Sequence, residues 1–212
     1  MDDLRNLTFA FLSECFDLDA ETGILRWRIR KDDHFVDKDT AKRWRTKHAG
    51  AQAGSNEGRG YLVVKIGGVS FLAHRIVFAI AHRLDMGSVP KFIDHINGQR
   101  SDNRPANLRG ASRRENSYNR VANKRKFGGE KGAYFNPRYG TWSARIQTHD
   151  TRISLGTFAT KEEAAAAYIG AAIILHGEFF RDLRTRPRAA GGRVGDAVAL
   201  PGSAGANAGS SV

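Results

Sequence analysis

Cysteine is almost missing from these 212 residues. Cys15 stands alone, which excludes an internal disulfide and any four-cysteine zinc ribbon and places the chain in a reducing compartment. No apolar run approaches membrane-spanning length. The start, MDDLRNLTFAFLSECFD, carries acids where a secretory leader needs basic residues. The expectation is therefore a soluble, cytoplasmic protein without membrane association. Acidic residues are also in deficit, with 22 Asp and Glu against 34 Lys and Arg, for a formal net charge of +12. Self-repulsion of that size opposes compaction, and the commonest compensation is a polyanionic partner, above all nucleic acid.

The first segment, FAFLSECFDLDAETGILRWRIR, reads as a short helix, a turn at Glu21 to Gly23 and a strand. In that strand Ile24, Arg26, Arg28 and Arg30 alternate with Leu25, Trp27 and Ile29, as on a sheet with one wet face. Residues 31–60 are polar, basic and rich in glycine toward their end, the pattern of a loop or weakly ordered segment. Residues 1–60 are thus expected to be an N-terminal accessory segment. YLVVKI, a Gly67-Gly68 turn and VSFLAHRIVFAIAHRL give a strand and then a second strand running into an apolar helix, which should stop near Met86-Gly87. Pro90 introduces the strand KFIDHI. Between Gln99 and Lys126 basic residues face only Asp102 and Glu115, and 121–129 reads as a basic linker suited to phosphate. Three short strands and a helix follow, with Thr160 and Glu163 forming a capping box and Gly177 ending the helix. The Gly, Ala and Ser-rich stretch over 187–212 is expected to be a disordered tail.

The stretch IDHINGQRSDNRPANLR, residues 93–109, holds the candidate chemistry. Cutting a phosphodiester needs a general base, a divalent cation to hold the phosphoryl and departing oxygens, and a group that orients the base. Asp94 is a hard oxygen ligand, and the adjacent His95 has an unperturbed pKa near neutrality. Neighbours on a strand point to opposite faces. For both to reach one site the strand must end or bend, and Asn97-Gly98 supplies a turn there. The loop returns through Asn107 into a predicted helix, SRRENSYNR, which carries Asn116. Asn97, Asp102 and Asn103 read as residues of loop conformation and hydrogen bonding.

The pattern aHR, DHiNG, DN, NLR and eN resembles the HNH endonuclease family, in the phage and intron-encoded group where asparagine replaces the last histidine. That resemblance implies a ββα-metal (His-Me finger) module over 61–120. It implies that Asp94 and Asn116 bind the metal, that His95 is the general base, and that Asn107 holds the His95 ring, by accepting its Nδ1 hydrogen or by a backbone contact. His74 and Arg75 match the family's upstream HR pair, with His74 equally readable as a satisfied core histidine. Asp and Asn oxygens suit Mg²⁺ or Mn²⁺ better than Zn²⁺, one ion per site. A monomer with one site would nick duplex DNA, and no small-molecule cofactor is expected.

The second unit, GTWSARIQ followed by TRISLGTFATKEEAAAAYIGAAIILHGE, resembles the Apetala-two/ethylene-response-factor type of DNA-binding domain over 130–183. That family lays a three-stranded sheet in the major groove and braces it with the helix, so Arg145, Gln147, Arg152 and Ser154 would face bases while Arg138, Tyr139 and Trp142 lie near phosphates or sugars. Trp142 could instead be packing. The plant pattern has an acid at position 145 and a tryptophan at 154, so no target sequence carries over. Together the two resemblances imply an α+β chain, a ββα-metal module plus a three-stranded antiparallel sheet with one packed helix. They imply a homing-type endonuclease of a phage or mobile element in a bacterial host, acting on double-stranded DNA. A DNA-binding transcription regulator with an inactive nuclease module is the rival reading, and an RNA-binding module a third.

Overall fold

The computed structural model describes residues 7–119 and 130–181, so the expected linker over 121–129 and tail over 187–212 lie outside the described residues. The chain opens with helix α1 (Phe9–Cys15), whose first turn is closed by the Thr8 hydroxyl accepting from the Phe11 amide. An antiparallel ribbon follows, β1 (Phe16–Asp19) and β2 (Ile24–Trp27), and the Asp19 carboxylate accepts the Glu21 and Thr22 amides to shape its turn. The expected alternation holds as far as Trp27 and then inverts. Ile29 is 76% exposed and Arg30 only 5%. The Arg30 guanidinium lies 4.7 Å from the Phe35 ring centroid and 5.1 Å from that of Trp44, so cation–π contacts and aromatic packing outweigh the alternation.

Those aromatics correct the loop reading of residues 31–60. Within them lies helix α2 (Lys38–His48), capped by Asp37, which accepts the Thr40 amide at 2.6 Å. Trp44 meets Trp27 edge-on at 5.0 Å, and Arg45 donates twice to the Arg30 carbonyl. Ala41 is the helix's one fully buried residue and Trp44 its one large residue packed on the core, which is why its apolar pattern is faint.

Strands β3 (Ser55–Asn56), β4 (Leu62–Ile66) and β5 (Val69–Leu72) form a sheet in that order, with β4 and β5 joined through Gly67-Gly68. Helix α3 (Ala73–Ala81) stops short of the expected Met86, because Arg83 adopts φ 53° and a separate 3-10 turn holds Met86–Ser88. Strands β6 (Phe92–His95) and β7 (Leu108–Ala111) pair antiparallel, and helix α4 (Arg113–Tyr118) starts at a Ser112–Glu115 capping box. These three elements follow one another as ββα. Leu12, Cys15, Phe16 and Leu25 pack in one core with Val64, Ile76, Ile93 and Leu108, so residues 7–60 are part of the body that carries β6 and β7.

The last unit follows its expected order. Strands β8 (Ala133–Asn136), β9 (Thr141–Gln147) and β10 (Arg152–Phe158) form an antiparallel sheet with β9 central, and helix α5 (Lys161–His176) begins at the Thr160–Glu163 capping box. Ala164, Ala165, Tyr168, Ala172 and His176 form the buried face of α5, at helical spacing, against Ala133, Ala144 and Ile146. Gly132, at φ +80°, rests directly on the Tyr168 ring, and a Cβ there would lie 1.8 Å from it. Gly177, at φ 52°, ends the helix. Among the described residues no helix is long and apolar enough to cross a membrane.

Candidate functional site

Asp94 and His95 end β6 as neighbours, so their side chains leave the ribbon on opposite sides, and both are buried, at 4% and 5% exposure. On one side, Arg109 sits directly across from Asp94 in the β6–β7 register and gives Oδ2 two hydrogen bonds, from Nε at 3.0 Å and Nη2 at 2.8 Å. Asn119, just past α4, brings its Nδ2 to Asp94 Oδ1 and Oδ2 at 2.8 and 2.9 Å and to the His95 carbonyl at 2.7 Å. A buried carboxylate is tolerated because its charge is paired and its lone pairs are filled.

On the other side, the His95 ring lies in a cluster with His74, edge-on at 5.1 Å, and Tyr61 at 6.1 Å. His95 Nε2 is 3.1 Å from Asn103 Oδ1. An amide oxygen only accepts, so that assignment puts the hydrogen on Nε2 and leaves the lone pair on Nδ1. Burial holds the imidazole below its ordinary range, partly offset by the Asn103 bond and the Asp94 and Asp102 charges. The ring is therefore neutral and basic at neutral pH. His74 is pushed further, down to about 3, first by burial and then by His95 and Arg75.

The expected partner of the ring, Asn107, is elsewhere. Its Oδ1 accepts the Asn97 amide at 3.0 Å, and its Nδ2 donates to Asn97 Oδ1 at 3.0 Å and to the Asp102 carbonyl at 2.7 Å. It sits in a 3-10 turn facing the 97–102 loop, and its own carbonyl receives the Ile96 amide, which fixes it as the loop's staple. Asn103 takes the ring instead. Asn116, expected to share a metal with Asp94, lies half-buried on α4 and makes no hydrogen bond to Asp94, whereas Asn119, three residues on, does. The signal was in the sequence, where ENSYN places two asparagines at i and i+3 on one side of a helix. Arg75 donates to the Val89, Pro90 and Lys91 carbonyls and so shapes the entry to β6.

Beside Asp94 lies a second candidate oxygen ligand. Asn119 Oδ1 is buried and has no partner among the described residues. Rotated by half a turn about its last bond, the amide would offer that oxygen where its nitrogen now meets Asp94. An orphaned amide oxygen beside a carboxylate fits a hard cation. No cluster of three or more His, Cys, Asp or Glu suited to a metal occurs among the described residues.

In the second unit, Ala144 and Ile146 point into the core, so Arg145 and Gln147 point away from α5. Arg145 pairs across the ladder with Ser154, and Gln147 with Arg152. These four predicted residues share the exposed face. Arg138 and Tyr139 occupy the β8–β9 turn, with the guanidinium 5.4 Å from the ring centroid. Trp142 packs on Phe135 at 5.1 Å and on the small core beneath, the packing alternative.

No curated protein and no solved structure matches the chain significantly. Residues 71–118, from within β5 through the Asp94-His95 strand to the end of α4, match the family model described as HNH endonuclease, which supports a nuclease of the HNH type.

Proposed function

We propose that the chain is a metal-dependent endonuclease that hydrolyses phosphodiester bonds in duplex DNA, nicking one strand at a site read by the β8–β10 sheet. The observation that carries the reading is the His95 ring, neutral, held through Nε2 on Asn103 and next in sequence to a buried carboxylate. His95 Nδ1 takes the proton of the attacking water, and Asn103 keeps the hydrogen on the other nitrogen so that Nδ1 stays basic. Asp94 and Asn119, in place of Asn116, would hold Mg²⁺ or Mn²⁺. When bound, that ion supplies Lewis-acid stabilisation of the charge that builds on the phosphoryl and departing 3′ oxygens. The exposed row of Arg145, Gln147, Arg152 and Ser154 offers bases the donors and acceptors that major-groove reading uses. Linking a reader to a cutter raises effective concentration at one locus, the design of a homing enzyme of a phage or mobile element.

A second reading, a DNA-binding regulator with an inactive nuclease module, draws on the Arg109 guanidinium lying on Asp94 Oδ2, where it competes with a cation. Supercoiled plasmid carrying candidate sites, incubated with Mg²⁺, separates the two. Nicking by the wild type that His95→Ala abolishes, with binding retained, is the expected outcome. Tight binding without any cutting by either protein leaves the regulator.

A further inference from the structure

A cleft of about 660 Å³ opens between α4 and the second unit, within the size range of ligand sites. Its wall carries Arg113 and Arg114 from α4, Arg145 from β9, and Lys131 from the start of the second unit, and no carboxylate lines it. Among the described residues no acid pairs with any of the three arginines. Lys131 is committed to the seam, donating to the Tyr118 and Ser117 carbonyls at the end of α4, and burial beside Arg181 pushes its ammonium down to about 8. Four cationic residues gathered in one cleft repel each other, and an anion relieves that cost. The aromatic part of the wall is ordered too. Tyr118 stacks flat on His176, centroids 3.7 Å apart and planes 5° from parallel. His176 is 7% exposed; its Nε2 donates to the Gln147 carbonyl at 3.0 Å, and its Nδ1 has no partner among the described residues.

We propose that this cleft is a seat for the sugar-phosphate backbone of DNA, adjoining the base-reading face and set between reader and cutter. The inference rests on the reading of the chain as a DNA-acting protein. A DNA strand, rather than a small anion, is favoured by continuity. Arg145 and Gln147 line the cleft and also stand on the exposed face of the sheet, so a backbone crossing that face continues into the cleft and along its α4 wall. Phosphate contacts of this kind fix register and orientation without reading sequence.

The test is duplex DNA binding by the full chain over a range of salt, comparing wild type with Arg113→Gln/Arg114→Gln. Neither arginine belongs to the hydrolytic site. The seat predicts at least several-fold weaker binding on every sequence, and a slope of log K against log salt reduced by about 2, one for each lost phosphate contact. Arg114 also donates to the His149 carbonyl, so Arg113→Gln alone, which keeps that bond, separates lost contact from lost folding: its thermal midpoint should stay near that of the wild type while its slope falls by about 1. Unchanged affinity and slope in a variant whose wild type binds DNA overturns the seat while leaving the nuclease reading intact. A wild type that binds no DNA overturns both. Inorganic phosphate is the control ligand: if it shifts the His176 imidazole resonances while the double variant binds DNA as the wild type does, the cleft is a small-anion site and the proposal falls.

Discussion

At the scale of single residues, Asn103 and Asn107 have separable duties. Asn103 touches the His95 ring, and its bond raises the imidazole pKa against the effect of burial. Asn103→Ala should therefore lower the cleavage rate and move the acid limb of the pH–rate profile to lower pH, with little change in the cleavage-independent DNA affinity. Asn107 staples the loop through three hydrogen bonds, and Asn107→Ala should cost about 1–3 kcal/mol in urea unfolding. Equal melting losses for the two variants would contradict this division. His74 makes a prediction of opposite character. Its folded pKa of about 3 lies below the ordinary 6.5, so between those values the unfolded chain binds a proton that the folded ring refuses. Stability that is complete above pH 6.5 is then lost as pH falls toward 3, on the order of a few kcal/mol in all. His74→Phe keeps a ring in the cluster and removes the titration. Its urea midpoint should fall less than that of the wild type between pH 7 and pH 4.5.

At the scale of elements, the β1–β2 turn reaches the loop that carries Asn103. Gly23 has φ +72°, and a Cβ there would lie 2.2 Å from the Arg104 amide and 2.3 Å from the Asn103 carbonyl carbon. Gly23→Ala should destabilise by about 1–3 kcal/mol and displace Asn103, so that cleavage falls more than the loss of folded protein explains. Proportional losses in folded fraction and rate would show that the turn only supports the loop. Elements with strong periodicity or punctuation were legible without coordinates. The Gly67-Gly68 hairpin, the ribbon ending in Asp94-His95 and the capped alanine-rich α5 all stand where their residues put them. Helix α2 was not, because its stability comes from Asp37 and from Trp44 packing on a distant strand rather than from an apolar stripe. The pair Asn116 and Asn119 was visible as two candidates on one side of the helix, but the choice between them was not. Spacing shows which helix carries an asparagine to Asp94, but the last turn of that helix decides which one arrives.

At the scale of the whole molecule, guanidinium groups span the two units, Arg109 foremost. Arg109 holds Asp94 with two of its nitrogens, donates to the Glu178 carbonyl at 2.6 Å with a third, and lies 4.0 Å from the Phe179 ring centroid. Arg181, farther along, donates to the Asn97 carbonyl in the turn beside Gly98. Pattern and composition imply two units joined by a basic linker, and such a description leaves their spacing to the linker. It could not foresee these contacts, because each lone arginine looks like one more surface charge until the chain is folded. Direct contacts make a different prediction from a tether. Inserting Gly-Ser residues between 120 and 129 should leave the distance from recognised sequence to nick unchanged on a denaturing gel, whereas a tethered cutter would spread its nicks. On the proposed function, Arg109 is then the fixed mark of a ruler: it would set how many base pairs separate the sequence read from the nick.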